Sequence, residues 1–212
     1  SITAQGTTTA NVTAKALTYT VSASDKTYDG GTSATATLSL SGFIGSETVT
    51  VSANAATFSD KNVGTDKTVT VNSITLADGD NGGVTTNYSI ATGNTTTADI
   101  TAKALTIGGI TASNKTYDGN TTATISVASA TFTGLVEGDS VTVSATGVFD
   151  NKNVGTGKTV TLTETNAGDD VNNYSITAQG TTTANVTAKA LTYTVSASNK
   201  TYDGGTDATV TL

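Results

Sequence analysis

Apolar and polar residues alternate along most of the chain. Val49 and Val51 are separated by Thr50, Val69 and Val71 by Thr70, and residues 98–102 continue the pattern. A period of two, with one apolar face and one face of Thr and Ser, is typical of half-buried antiparallel strands. The pattern therefore predicts an all-β protein.

Phase changes and glycines indicate where these strands end. The alternation slips by one residue at Lys103-Ala104-Leu105, and the same letters occur at 15–17 and 189–191. Asp-Gly steps supply the positive backbone φ that tight hairpins need. The sequence predicts such hairpins at Asp29-Gly30, Asp118-Gly119 and Asp203-Gly204.

The strand pattern repeats over long distances. Residues 175–212 match residues 1–38 at all but three positions, and a weaker copy lies between them. Fixed periods of this kind identify repeat arrays. The predicted segments are the end of one repeat (1–15), complete repeats A (16–103) and B (104–189), and the start of another (190–212). The chain is expected to be an excerpt of a longer array.

Each complete repeat has 86–88 residues, enough for a core of its own. Six to eight short strands with turns every 8–12 residues predict an Ig-like β-sandwich. Because no Gly- or Pro-rich linker separates the repeats, the tandem sandwiches are expected to form an elongated rod. The alternative is a β-grasp-like unit with one short helix near residue 135, in the stretch 134–139.

The composition of the chain disfavours several classes of function. Thr contributes 51 of 212 residues, and the formal net charge is −7. An acidic chain does not favour nucleic acid or an anionic membrane surface, both of which select basic residues. Without His or Cys, the usual Ser-His and Cys-His nucleophile systems cannot form, so we expect no enzyme and no organic cofactor.

Acidic loops rich in Gly and Asn offer oxygen ligands that suit calcium. The candidate residues are Asp78, Asp80, Asp169 and Asp170. Their spacing differs from that of an EF-hand loop, and a solvated hairpin loop is the competing interpretation.

Three copies of Tyr-Asp-Gly form the structural signature, at residues Tyr28, Asp29, Gly30, Tyr117, Asp118, Gly119, Tyr202, Asp203 and Gly204. We expect each tyrosine to pack over its hairpin and to anchor its hydroxyl on the backbone. Tyr117→Ala is then expected to cost about 3 kcal/mol. The recurrent lysines, among them Lys26, Lys61 and Lys152, are predicted to be solvated edge charges.

The order of these motifs along the chain is similar to that of a known repeat family. The order ALT, KTYDG, TFTGLVEGDSVTV, KNVGT, NYSI and TTTANVTAKALT resembles the YDG or MBG-type tandem repeats of bacterial surface proteins. Such repeats occur in large adhesins that are similar to filamentous haemagglutinin. The resemblance implies an exported protein at the bacterial cell surface and no catalytic residues.

We therefore expect a structural stalk segment of an extracellular adhesin or surface fibre. Its partners would be neighbouring repeats and other copies in a fibre, with no nucleic acid and no membrane insertion in this segment. The alternatives are a self-assembling filament subunit and a repeated module that binds glycans or a host surface.

Overall fold

The structure, a computed structural model, describes residues 6–212. Residues 1–5, which begin the predicted segment 1–15, lie outside the described residues. The described strands are β1 (Lys15–Ala23), β2 (Lys26–Thr27), β3 (Ser33–Ala34), β4 (Ala36–Ser41), β5 (Val49–Phe58), β6 (Gly64–Asp78), β7 (Tyr88–Ile90), β8 (Thr95–Thr101), β9 (Lys103–Gly108), β10 (Thr111–Ala112), β11 (Lys115–Thr116), β12 (Thr122–Ala123), β13 (Ile125–Ser126), β14 (Thr131–Thr133), β15 (Thr142–Phe149), β16 (Gly155–Ala167), β17 (Tyr174–Thr177), β18 (Thr181–Thr187), β19 (Ser196–Ala197) and β20 (Val210–Thr211).

The all-β prediction is confirmed, since the described residues contain no α-helix. Two single 3-10 turns, Thr85–Asn87 and Val171–Asn173, lead into β7 and β17. Residues 134–139 form turns, so the short helix of the β-grasp alternative is absent from the part that the structure describes. The phase slip at Lys103 marks a real strand boundary, because Ala102 alone separates β8 from β9.

Two compact units divide the chain. Unit 1 comprises the described residues up to Ile107 together with Phe132–Thr142 and Asn166–Thr177, and the remaining residues form unit 2. Unit 1 thus combines repeat A with three segments of repeat B: residues 104–107, Phe132–Thr142 and Asn166–Thr177. The limits of the sequence repeats stay a prediction.

Three sheets build unit 1. The largest has the strand order β2-β8-β6-β5-β3, with β2 parallel to β8 and the other pairs antiparallel. The others have the orders β4-β1-β7 and β14-β9-β17. In both, the parallel pair places a tyrosine beside a lysine: Tyr88 opposite Lys15, and Tyr174 opposite Lys103.

The main core of unit 1 lies between the five-stranded sheet and the sheet β14-β9-β17. Val69 and Ile100 come from the first sheet, and Leu105 and Tyr174 from the second. All four are buried, as expected for the apolar faces of two packed sheets. A smaller cluster of Leu17, Val49 and Tyr88 lies under the sheet β4-β1-β7. The sandwich prediction is therefore confirmed for this unit.

Unit 2 has a five-stranded sheet with the order β11-β18-β16-β15-β12 and two short pairs, β10-β13 and β19-β20. Its parallel edge pair, β11 with β18, has the same form as β2 with β8 in unit 1. The buried apolar residues of this unit include Ile110, Ala123, Phe149, Val160, Leu162, Ala184 and Val186.

Candidate functional site

The Tyr-Asp-Gly turn of unit 1 is held by a charged hydrogen-bond network. Asp29 Oδ1 accepts a hydrogen bond from the Gly31 amide at 2.9 Å and pairs with Lys26 Nζ at 2.7 Å. The hydrogen bond from Lys26, followed by that from the Gly31 amide, lowers the pKa of Asp29 below its ordinary value. Lys26 Nζ also lies 5.5 Å from the ring centre of Phe58. Lys26 therefore braces the turn, and the prediction that it is a solvated edge charge is wrong.

The other two turns have the same lysine–aspartate pair. Lys115 contacts Asp118 at 2.8 Å, and Lys200 contacts Asp203 at 2.9 Å. In all three turns the pairing lysine lies three residues before the aspartate. The signature is therefore better described as Lys-Thr-Tyr-Asp-Gly than as Tyr-Asp-Gly alone.

The glycines of the three turns have positive φ, as predicted, but the first two turns do not join paired strands. Values of φ are 81° at Gly30, 84° at Gly119 and 75° at Gly204. The strands that flank the first turn, β2 and β3, lie at opposite edges of the five-stranded sheet. The tight hairpins predicted at Asp29-Gly30 and Asp118-Gly119 are wrong, because β2 and β11 pair in parallel with the last strand of their own repeat.

Gly30 also lies against a distant part of unit 1. A Cβ atom added at Gly30 would be 2.8 Å from Cγ1 of Val136, whereas the equivalent atom at Gly119 would meet nothing within 4 Å. Real Cβ atoms do not approach other carbon atoms this closely. A glycine at this position thus permits the loop around Val136 to pack on the turn.

Tyr28 links the turn to that same loop. Its side chain is buried, and its hydroxyl donates a 2.8 Å hydrogen bond to Oδ2 of Asp139. The hydroxyl of Tyr174 donates to the same oxygen at 2.5 Å, and the two rings meet edge to face at 5.6 Å. Tyr28 thus packs against the tyrosine and the acidic loop of repeat B and not over its own turn alone, and its hydroxyl anchors on a carboxylate and not, as expected, on the backbone.

Lys61 completes the arrangement. Its Nζ lies 3.2 Å from Oδ1 of Asp139 and 2.9 Å from Oδ1 of Asp170, and 5.9 Å from the ring centre of Tyr28. We call Tyr28, Lys61, Asp139, Asp170 and Tyr174 the latch cluster. The first two residues belong to repeat A and the other three to repeat B.

A buried asparagine extends the latch cluster through the backbone. Asn173, 4% exposed, accepts a hydrogen bond from the Val63 amide at 2.9 Å. Its Nδ2 donates to Asn62 Oδ1 at 3.3 Å. The loop after Lys61 is thereby attached to the residue before Tyr174, which satisfies a buried amide that would otherwise be costly.

The electrostatics of the latch cluster favour the charged forms of its acids. Burial would raise the pKa of Asp139, but hydrogen bonds from Tyr174, Tyr28 and Lys61 outweigh it and bring the pKa below its ordinary value. Burial and then the Asp139 hydrogen bond raise the pKa of Tyr174 to about 12. The hydrogen bond to Asp170, with Tyr28 and Asp139, raises the pKa of Lys61. The raised pKa favours the cationic form of Lys61, which suits its ion pairs with Asp139 and Asp170.

Repeat A contains a counterpart of one half of the latch cluster. Tyr88 donates to Oε2 of Glu47 at 2.7 Å and accepts from the Ile44 amide at 3.1 Å. In repeat B, Tyr174 makes the same two bonds, to Asp139 and from the Val136 amide at 2.9 Å. The two positions match in sequence, within GFIGSETVTV at 42–51 and GLVEGDSVTV at 134–143.

The remaining signature tyrosines have different surroundings. Tyr117 is half-buried, and Tyr202 is 93% exposed. Among the three equivalent tyrosines of the described chain, only Tyr28 is covered by an acidic loop of the kind that contains Asp139. Burial of this tyrosine thus depends on the next repeat and not on its own turn.

The candidate calcium loops are organised by protein hydrogen bonds. Asp78 Oδ1 accepts from the Thr85 amide at 2.7 Å, and the Asp80 amide donates to Thr48 Oγ1 at 2.9 Å. A Cβ atom at Gly83 would be 1.9 Å from the Thr48 carbonyl oxygen, so close backbone approach explains a glycine of this loop.

In the second loop, Asp170 binds Lys61 and the Ser140 amide, while Asp169 is exposed. Within residues 6–212, no three acidic side chains gather into a group that could hold a metal. Calcium binding at Asp78, Asp80, Asp169 and Asp170 stays a prediction.

Lys61, Asp139 and Asn173 were not predicted from the sequence to be members of one site. A signal existed for two of them, because KNVGT, which begins with Lys61, recurs at 152–156, and NYSI, which begins with Asn173, also occurs at 87–90. Asp139 had a weaker signal, since Glu47 occupies its place in repeat A.

Comparison with known families identifies these repeats. A family model described as the YDG domain matches residues 13–98 and again 101–184. The chain belongs to the YDG domain family. The two matched segments agree with a tandem array of YDG repeats, and each contains one complete Lys-Thr-Tyr-Asp-Gly turn.

Searches of curated proteins and of solved structures found no significant match to the chain. In the described part of the chain, no helix has the length and apolar character needed to cross a bilayer.

Proposed function

We propose that this pair of YDG repeats is a structural spacer in a long extracellular adhesin or surface fibre of a bacterium. The latch cluster is the observation that carries the proposal. It ties a turn and a lysine of one repeat to an acidic loop and a tyrosine of the next, inside one compact unit. Contacts of this kind between successive repeats would resist their separation under tension.

The chemistry of the latch cluster supports a mechanical role over a catalytic one. Both oxygens of Asp139 accept hydrogen bonds from the protein, and both oxygens of Asp170 do so as well. A general base needs an oxygen within reach of a substrate proton, and these oxygens are already occupied. Hydrogen bonds to charged groups are about twice as strong as neutral ones.

The composition of the surface supports an extracellular location for the protein. Exposed strand positions are mainly Thr and Ser, which hydrate the chain without large apolar patches. The net charge of −7 favours solubility and opposes non-specific association. We propose the cell surface as the location, with neighbouring YDG repeats as the partners.

Single-molecule pulling tests the spacer function. The chain is stretched between its ends, and the force of each unfolding event is recorded. Lys61→Ala should lower the force of the event that opens unit 1, and Lys152→Ala, at the equivalent position in unit 2, should leave it unchanged. Equal forces in all three chains would contradict the mechanical role of the latch cluster.

A parallel binding screen separates the spacer from a binding module. We expect no saturable binding of this chain to immobilised glycans or to host-matrix proteins. Saturable binding that is lost on substitution of an exposed side chain would overturn the spacer proposal. Antibodies against the chain should label intact cells of the source bacterium, and labelling only after permeabilisation would overturn the proposed location.

A further inference from the structure

Within residues 6–212, repeat A contains one half of a latch cluster whose outer side chains, Ile44 and Asn87, are exposed. Glu47 and Tyr88 reproduce the bond between Asp139 and Tyr174, yet Ile44 is 54% exposed where the matching Val136 packs against the core. Asn87, which matches the buried Asn173, is exposed. We call Ile44, Glu47, Asn87 and Tyr88 the acceptor face. A groove of about 310 Å³ runs along it.

The complementary half lies uncovered on repeat B. Tyr117, Lys152 and Val154 match Tyr28, Lys61 and Val63 in the signature turn and in the KNVGT segment. Val154 is 55% exposed and Lys152 is exposed, whereas Val63 packs against the core of unit 1. We call Tyr117, Lys152 and Val154 the donor face. A groove of about 420 Å³ borders Tyr117 and Val154.

We propose that the acceptor face binds the donor face of another YDG repeat, and that a second copy of this chain supplies that repeat in solution. The latch cluster provides the template for the contacts. The Tyr117 hydroxyl and Lys152 ammonium of one copy would bind Glu47 of the other. Oδ1 of Asn87 would accept from the Val154 amide, as Asn173 accepts from Val63.

Charge supports this occupant. The acceptor face presents the carboxylate of Glu47, and the donor face presents the ammonium of Lys152, so these two groups attract each other, while Lys15 at the edge of the same groove offsets part of the attraction. Each face is the half that the other lacks, which makes the interface heterologous. Heterologous contacts produce rings or open-ended chains in place of closed two-fold dimers.

Two features make this junction weaker than the latch cluster itself. Val84 occupies the position of Asp170, so Lys152 meets one carboxylate where Lys61 meets two. Val12 lines the groove of the acceptor face, and residues 6–14 form no strand there. They must move aside for a second copy. The interaction is therefore reversible and depends on protein concentration.

Sedimentation velocity of the full 212-residue chain over a wide range of concentrations tests the proposal. The weight-average mass should rise with concentration and fall as salt is added, because an ion pair near the surface is screened. Glu47→Lys and Lys152→Glu should each abolish the rise. Asp207→Lys, which reverses an exposed charge that lines neither groove, should retain it.

A mixture of the two charge-reversed chains provides the decisive measurement. In each variant the acceptor face and the donor face have the same sign of charge, so each variant alone should stay monomeric. Mixed together, they offer one reversed pair and one original pair, so association should return. Circular dichroism of each variant confirms that loss of association is not loss of fold.

Monomeric wild-type chain at all concentrations would overturn the inference. Association that survives both charge reversals, or a mixture that stays monomeric, would overturn it too. The spacer function would survive such results, because its own test depends on Lys61 and unit 1.

Discussion

Tyr28 donates its hydroxyl hydrogen to Asp139, a residue 111 positions further along the chain, at 2.8 Å. Tyr28 belongs to the signature turn of repeat A, and Asp139 to the acidic loop of repeat B. The turn that defines the YDG family thus contributes, in unit 1, to the coupling of consecutive repeats. The turn does not close a hairpin, because the strands on either side of it are not paired with each other.

Removal of the Tyr28 hydroxyl should destabilise unit 1. A hydrogen bond to a charged group contributes about 1.5–3 kcal/mol, so Tyr28→Phe should lower the free energy of unfolding by about that amount. Tyr117→Phe removes the same atom from a half-buried ring and should change it by about 0.5 kcal/mol or less. Urea unfolding of both variants measures the difference.

The sequence predicts a loss of about 3 kcal/mol in the free energy of unfolding for Tyr117→Ala. The structure leads us to expect that loss for Tyr28→Ala instead, because Tyr28 is the more deeply buried ring. Tyr28 is 1% exposed, whereas Tyr117 is only half-buried. An equal loss in the two alanine variants would mean that each ring packs on its own turn alone.

The strands of this chain were predictable because their signal is local. Alternation at Val49–Val51 and Val69–Val71 requires only neighbouring residues, and both segments are strands. The pairing of β2 with β8 was not predictable, since Lys26 and Ile100 lie 74 positions apart and no short-range pattern relates them. Turn chemistry at Asp29-Gly30 indicated positive φ correctly but carried no information on which strands the turn connects.

The latch cluster was hidden for a related reason. Lys61 stands among polar turn residues, which favours a solvated charge, and its acidic partners lie 78 and 109 positions away. Burial of Asp139 arises only when the loop of repeat B packs on the turn of repeat A. Comparison of Glu47 with Asp139 in the two repeats was the only sequence signal for an acid at this position.

Acid should weaken unit 1 through Asp139 and Asp170, whose pKa values are lowered in the folded protein. A lowered pKa means that the unfolded chain takes up the proton first as the pH falls. The stabilisation is complete above the unfolded value of about 3.9 and disappears as the pH falls through the folded values.

Melting temperatures between pH 2 and 7 test this expectation. Asp139→Asn should melt lower than wild type at pH 7, because Lys61, Tyr28 and Tyr174 lose a charged partner. Its melting temperature should also change less between pH 5 and 2. A variant whose acid profile parallels that of the wild type would exclude Asp139 as a source of the acid sensitivity.

High pH should destabilise the folded protein through Tyr174, whose pKa is raised to about 12 in the folded state. A raised pKa means that the unfolded chain loses the proton first as the pH rises. The contribution to stability is complete below about pH 10, the ordinary tyrosine value, and is lost as the pH rises through about 12. Absorbance of tyrosinate near 295 nm, wild type minus Tyr174→Phe, should show a step near pH 12. A step near pH 10 would indicate that Tyr174 is neither buried nor hydrogen-bonded to Asp139 in solution.

If the candidate calcium loops are solvated hairpin loops, the competing interpretation, calcium should leave the melting temperature unchanged. Asp170 is already bound to Lys61, and the Asp78–Gly83 loop packs against Thr48. Thermal unfolding in millimolar calcium and in chelator makes the comparison. A rise of several degrees in calcium that Asp78→Asn removes would assign an ion to this loop.

Gly30 and Gly119 provide a matched pair of substitutions. Both have φ near 80°, so alanine at either position introduces about 1 kcal/mol of backbone strain. Only Gly30→Ala adds a methyl group within 2.8 Å of Val136. That variant should lose a further 1–3 kcal/mol or so, the usual cost of overpacking. It should also loosen the latch cluster, because the loop from Val136 to Asp139 must shift.

Hydrogen exchange distinguishes backbone strain in the turn from overpacking against Val136. In Gly30→Ala, the Val136 amide, which donates to the Tyr174 hydroxyl at 2.9 Å, should exchange faster than in wild type. In Gly119→Ala its exchange should be unchanged, since Gly119 lies in unit 2. If both variants lost the same stability and kept slow exchange at Val136, strain in the turn would explain the whole effect. The glycine of the signature would then serve its own turn and not the contact between repeats.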